Sequence, residues 1–223
     1  MPQEKPNGLV RLAHFREDLI ILDTVKDKFS LIPDLPVDRI NSFLASPYTI
    51  DTTLSEALRG QGITREQLLF STTISSLENT GLLETRWKTP PTPRTDYSFR
   101  LWCVCLWRLI NAGLMIKRGG YAAIIKILNK KKSDIELTPT ASTSIARIIA
   151  HINKAFLLDF SNNRCLTYSL TLCMMARNMG LPAKLIVGVR TRPFFSHAWV
   201  ELHGRIINDD PELRSKLSII LEE

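Results

Sequence analysis

Residue types that can together break an amide bond occur in order along the last third of the chain: Cys165, then His197, then the neighbouring aspartates Asp209 and Asp210. A cysteine nucleophile requires a lowered thiol pKa, a base for the thiol proton and a group that orients the base. Cys165 lies in "NNRCLTYSLTLCMMARNMGLP", where a polar loop meets a segment predicted to be a helix over 166–178 and closed by Gly180 and Pro182. A helix start presents free backbone N–H groups and the positive end of the dipole, and both favour a thiolate. The same N–H groups are candidate donors to an oxyanion.

His197 falls in the strand-like run "SHAWVEL", and the aspartates close the next run after a turn at His203 and Gly204. Side-chain parity leaves two pairings. An even loop sets His197 and Asp210 on one face, whereas a three-residue loop with Gly204 left-handed sets His197 opposite Asp209. Asp210-Pro211-Glu212 also reads as a helix start, with the aspartate as N-cap and proline at the first helical position. That task for Asp210 leaves Asp209 to orient the imidazole.

Each residue has a structural reading when taken singly: a core thiol, a satisfied strand histidine, a turn aspartate. Their joint order favours catalysis, with cysteine at a helix start, histidine on a following strand and acid on the strand after it. Cys173, two helical turns beyond Cys165, reads as buried, and Cys103 and Cys105 lack neighbouring ligands. The four cysteines form neither a disulfide framework nor zinc-binding pairs, a pattern that fits the reducing cytoplasm. His203 reads as exposed in its turn, and His14 and His151 show no partner pattern.

The elements that must position these residues divide at a proline-rich segment, "KTPPTPRTD", which can continue neither a helix nor a central strand. Before it, "LVRLAHF", "DLIILDTV" and "DKFSLIP" predict a three-stranded meander. Helices are then predicted around Val37, Ile40, Phe43 and Leu44, over "TLSEALRGQG", and from Thr64, capped with Gln67, to Gly81. Beyond the linker, helices are expected over 98–117, 121–131 and 140–158, with Lys130–Lys132 as a solvated end. The run "AKLIVGVR", "SHAWVEL", "RIIND" predicts a small antiparallel sheet, followed by a final helix "PELRSKLSIILEE". The fold class is therefore α+β. A winged-helix-like module occupies 1–88, a linker 89–96 and a mainly helical domain 97–223.

A chain of 223 residues with 44% hydrophobic and 23% charged residues can bury a core, which excludes global disorder. Its net charge of +7 permits an acidic partner without selecting one. The start "MPQEKPNGLVRL" lacks the apolar core of a signal peptide. The apolar stretch Leu101–Ile116 is short for a bilayer span and carries Arg108 and Asn111, so a buried helix is expected and no integral membrane span.

At "CLTYSLTL", "LIVGVRTRPFFSHAWVEL" and "GRIINDDPELRSKLSIILE" the chain resembles the transglutaminase-like cysteine peptidases. More closely, it is similar to the B-protein family that removes the leader from lasso-peptide precursors. "FREDLIILDTVKDKFSLIP" and "LLETRW" extend the match into the first module. The resemblance implies Cys165 as nucleophile, His197 as general base and then acid, and Asp209 as the residue orienting it. It implies a fused peptide-recognition element, with the leader adding as a strand beside Lys28, Phe29, Ser30, Leu31 and Ile32 and packing on the third helix. It also implies an asparagine-synthetase-like, ATP-dependent cyclase as partner. No Gly-x-x-x-x-Gly-Lys-Ser/Thr loop occurs here, so ATP is assigned to that partner and no cofactor or metal to this chain. Two other readings are a basic winged-helix nucleic-acid binder with a non-catalytic second half, and an acyltransferase on the same fold. Against the first, the helix expected from Thr64 has only Arg65 as a base near its start.

Overall fold

The computed structural model describes residues 10–36, 38–39, 42, 52–63, 75–77, 89–129, 139–159, 161 and 163–223. The helix expected around Val37–Leu44, most of that expected from Thr64, the "LLETRW" segment and Lys130–Lys132 lie largely or wholly outside the described residues. The chain forms two compact units. One comprises Met1–Leu83, Gly188–Ser196 and Arg214–Leu221, and the other Glu84–Val187, His197–Leu213 and Glu222–Glu223.

In the first unit, β1 (Val10–Phe15), β2 (Asp18–Asp23) and β3 (Lys28–Ile32) form the expected antiparallel meander. Tight turns are possible because Arg16 and Asp27 take positive φ, and Asp23 Oδ1 accepts the N–H groups of Val25 (3.0 Å) and Lys26 (2.9 Å). Val10, Leu12, Leu19, Ile21 and Ile32 pack on Leu54 and Leu58 of α1 (Thr52–Gly60), the short helix expected there. β1 and β2 are nearly continuous apolar runs, buried along almost their whole length. β3 has exposed Lys28 and Leu31.

The sheet order is β3-β2-β1-β4, where β4 (Ser75–Leu77) runs parallel to β1. This corrects the helix expected through Leu77. The surrounding "STTISSL" is dense in β-branched and hydroxyl residues, which disfavour a helix and suit a strand once a partner is available.

A charge cluster around buried Asp18 completes this unit. The Arg192 guanidinium reaches Asp18 through Nε (3.2 Å) and Nη2 (3.1 Å), and Asp34 through Nη2 (2.9 Å). Burial opposes ionisation of Asp18. The neighbouring Thr191 side chain, with hydrogen bonds from Arg192 and the Asp34 N–H, outweighs it and holds the carboxyl below its ordinary value. Phe194 packs on Phe29 at 5.3 Å between ring centroids. His14, which had no partner pattern in the sequence, bonds the Leu35 carbonyl through Nε2 at 2.9 Å.

In the second unit three helices pack together: α2 (Phe99–Asn129), α3 (Pro139–Phe156) and α4 (Arg164–Asn178). α2 breaks its helical geometry at Gly120 (φ 49°, ψ −146°), as the Gly119–Gly120 pair predicts. Its apolar stretch is two-faced rather than wholly buried. Cys105, Leu109, Ala112 and Ile116 are buried, while Phe99, Val104, Trp107, Ile110 and Leu114 are exposed. By length and composition alone α2 could cross a membrane. The extended segment before it is tied down, because Asn153 of α3 donates through Nδ2 to the Pro90 carbonyl (2.9 Å) and Thr92 Oγ1 (3.0 Å). His151 Nε2 accepts the Ser98 N–H at 2.9 Å, which requires the Nδ1–H tautomer that donates to the Arg147 carbonyl at 2.7 Å.

The second sheet has the order β7-β6-β5-β8, with β5 at Ala183–Arg190, β6 at Phe195–Leu202 and β7 at Arg205–Ile206. The final helix is corrected. Only Leu213–Lys216 (α5) is helical, and Ser218–Glu222 forms β8. The helix start at Asp210–Pro211 was legible, but Ile219 and Ile220 prefer a strand, and β8 pairs with β5.

Candidate active site

α4 is buried almost all round, with Leu166 through Ala176 inaccessible. Such a helix belongs in a core, and its ends are therefore sharply defined. At the C-terminus Gly180 (φ 81°) sits beyond the cap. Its N–H donates to the Arg177 carbonyl (3.0 Å) and that of Leu181 to Ala176 (3.1 Å), the paired bonds of a Schellman stop. Arg177 in the last turn donates through Nε to the Ala183 carbonyl at 2.6 Å, holding the start of β5. At the other end Asn163 is the N-cap and makes no side-chain capping bond. Cys165 is the second helical residue and is half-buried, so its sulfur meets the unsatisfied N–H end of the helix while remaining reachable.

His197 is buried on β6. Its Nε2 bonds Asp209 Oδ2 at 2.8 Å, and Trp199 stacks alongside at 6.3 Å between centroids. The imidazole and the Cys165 sulfur also lie within electrostatic reach of each other. With Nε2 held by the carboxylate, Nδ1 is the nitrogen left for the thiol. The second oxygen of Asp209, Oδ1, accepts the N–H of Asp210 at 2.8 Å, which fixes the carboxylate plane. Cys165, His197 and Asp209 are thus brought together, with His197 between the thiol and the carboxylate.

The electrostatics follow from these contacts. Burial pushes the Cys165 thiol up, but the neighbouring His197 imidazole and its charge, with the N–H groups of Ala198 and Leu166, outweigh it and bring the pKa below the usual thiol value. Burial disfavours the His197 cation, yet Asp209 and then Cys165 raise its pKa to about 9. Both shifts favour the thiolate–imidazolium form of the pair. Cys105 and Cys173 provide the contrast, since burial pushes them to about 12 and about 11. Both are inert core thiols.

The turn that sets Asp209 differs from the loop that parity associated with it. His203 (φ 49°) and Gly204 (φ 73°) make a two-residue turn, with Leu202 opposite Arg205 and Glu201 opposite Ile206. Continued regularly, this even register would bring Asp210 opposite His197. It does not continue. The Ile207 N–H still donates to the Val200 carbonyl (3.0 Å), but the Val200 N–H is taken by the Asn208 side-chain oxygen (2.7 Å). The ladder ends there and the chain re-aims, so Asp209 meets the histidine. Asp210 does have the local task expected of it, as its Oδ1 accepts the Glu212 N–H at 2.9 Å.

Sequence reasoning missed Asn208, Ser169 and the Ala198 N–H. An asparagine just before an aspartate at a strand end resembles ordinary turn chemistry, and no spacing marks the other two. Lys28–Ile32 form β3, an edge of the first sheet, in the other unit. Among the described residues no group of three or more His, Cys, Asp or Glu side chains is arranged to hold a metal.

The transglutaminase-like superfamily model matches residues 106–222, which contain Cys165, His197 and Asp209. The protein belongs to this superfamily and, within it, to the lasso-peptide B-protein family. It is 34% identical over 219 residues to the microcin J25-processing protein McjB of Escherichia coli, covering 95% of this chain and 97% of that protein. No solved structure matches it.

Proposed function

We propose that this protein is a cysteine peptidase that removes the leader from a lasso-peptide precursor, freeing the core N-terminus for macrolactam formation by a partner cyclase. The observation that carries this reading is His197 held between Asp209 and Cys165, with the thiol pKa lowered and the imidazole pKa raised. The thiolate attacks the carbonyl of the last leader residue, and helix-start N–H groups are suited to receive the developing oxyanion. His197 then gives its proton to the departing amine, which becomes the new N-terminus of the core. Water, deprotonated by His197, hydrolyses the thioester and releases the leader carboxylate.

Residues 1–88 recognise the leader in this reading, 89–96 link, and 97–223 cut. The leader adds as a strand along Lys28–Ile32. Support comes from the position of β3 at a sheet edge and from Leu31, exposed on it. The setting is the cytoplasm, and ATP acts on an asparagine-synthetase-like cyclase. The nucleic-acid-binding alternative is not favoured, because the curated relative is named for peptide processing.

Mass spectrometry of a candidate precursor incubated with this protein, with and without cyclase and ATP, tests the proposal. Separated leader and core are expected with the wild type. Cys165→Ala is expected to lose roughly 10⁴-fold or more in rate while still binding leader. Cleavage retained by that variant would remove Cys165 as nucleophile.

A further inference from the structure

Beneath the Cys165–His197–Asp209 chain lies a second one that carries no charge. Ser169, one helical turn after Cys165 on the same face of α4, donates through Oγ to the Ala198 carbonyl at 2.9 Å. Asn208 donates through Nδ2 to that same Oγ at 3.0 Å and accepts the Val200 N–H at 2.7 Å. Ser169 and Asn208 are fully buried. Each member thus lies next to, or one helical turn from, a member of the outer chain: Ser169 behind Cys165, Ala198 after His197, Asn208 before Asp209. Ala198 belongs to both layers, since its carbonyl takes Ser169 and its N–H faces the Cys165 sulfur.

We propose that Ser169 and Asn208 are positioning residues, a neutral inner relay that fixes the separation of α4 from β6 and turns Asp209 rather than Asp210 toward His197. This deepens the peptidase reading and rests on it. The geometric reason is the interrupted ladder. Had the Ile207 carbonyl received the Val200 N–H, the even register would carry on and Asp209 would point away. The Asn208 amide stands in for that carbonyl, and its own N–H₂ group is spoken for by Ser169. A buried network of this kind specifies one arrangement when every member is satisfied.

The test is pH-dependent alkylation of Cys165, read peptide by peptide in the full chain, with exposed Cys103 as internal control. Ser169→Ala removes a single oxygen, and Asn208→Ala removes the whole stand-in. Both are expected to move the alkylation midpoint of Cys165 upward, by about one pH unit for Ser169→Ala, and to leave Cys103 unchanged. On precursor, kcat is expected to fall about tenfold or more with KM little changed. A lowered Tm with the wild-type alkylation midpoint and kcat would overturn the proposal, leaving the pair as scaffold only. Should Asn208→Ala fail to fold, Ser169→Ala decides alone. Because alkylation needs no substrate, an uncleaved precursor would count against the peptidase reading without touching this one.

Discussion

The strand that would meet a peptide and the strand that carries the histidine are built in opposite ways. β3 stands at the edge of its sheet, with Lys28 and Leu31 exposed. β6 lies inside its sheet between β7 and β5, and His197, Trp199 and Val200 on it are buried. An open edge offers backbone hydrogen bonds to any extended segment and leaves discrimination to side chains. On β6 the backbone beside His197 is instead taken up by side chains, the Ala198 carbonyl by Ser169 and the Val200 N–H by Asn208, so its surroundings can be spent on holding one imidazole in one orientation. The contrast extends to charge. Arg192, which neutralises Asp18, is itself more than half exposed, whereas His197 is buried and Asp209 largely so.

The contrast can be broken at the enclosed strand first. Asp209→Asn is expected to lower turnover by roughly 10²–10⁴-fold, because Nε2 loses its anionic partner. Asp210→Asn is expected to leave turnover near wild type and to cost about 1 kcal/mol of stability at most. Steady-state cleavage of precursor checks both, and the reverse ranking would reassign the acid. The pH profile is the next largest effect. In the proposed mechanism the imidazolium protonates the leaving amine, so activity should fall as pH rises through the His197 value of about 9. The thiolate is needed at the other end, and its pKa lies below the usual 9.0, so the acid limb should also lie below 9.0. Asp209→Asn should draw the two limbs together, as imidazole and thiol each lose part of what shifts them.

The open edge is sharpened by a gentler change. Leu31 is 39% exposed, so Leu31→Glu should hardly alter stability but weaken leader binding about tenfold, on the order of 1.4 kcal/mol. Fluorescence polarisation with a labelled leader and the full chain measures this, and unchanged affinity would move the leader elsewhere. Smallest for function is Asp18→Ala, which strips the Arg192 cluster of its buried acceptor. Urea denaturation should report a loss of about 1–3 kcal/mol. The Asp18 contribution is present above its ordinary pKa of 3.8 and is lost as pH falls through the lower value held in the fold.

Legibility followed the range of the forces involved. The meander, the α2 break at Gly120 and the α4 stop at Gly180 could be read because strand alternation, turn chemistry and glycine φ are local. The helices expected over Ser75–Leu77 and Ser218–Glu222 were misread for the complementary reason. Each segment becomes a strand only by pairing with another that is distant in sequence, β1 for the first and β5 for the second. The exposed apolar face of α2 likewise has no local signature, since Trp107 and Leu109 look equally suited to a core.

The sequence by itself determined the chemistry available: a cysteine at a helix start, an imidazole on a strand, two carboxylates after a turn, and an edge-prone strand ended by Pro33. These follow from residue identity and short-range spacing. The local task of Asp210 already pointed to Asp209, but tertiary structure decided how that carboxylate is aimed at the imidazole, through the Asn208 amide displacing a main-chain carbonyl from the Val200 N–H. It also decided that Cys165 is a lowered thiol while Cys105 and Cys173 are raised ones. A thiol's charge depends on what surrounds the sulfur in space, and for Cys165 the groups that matter most lie on a strand that follows it by some thirty residues.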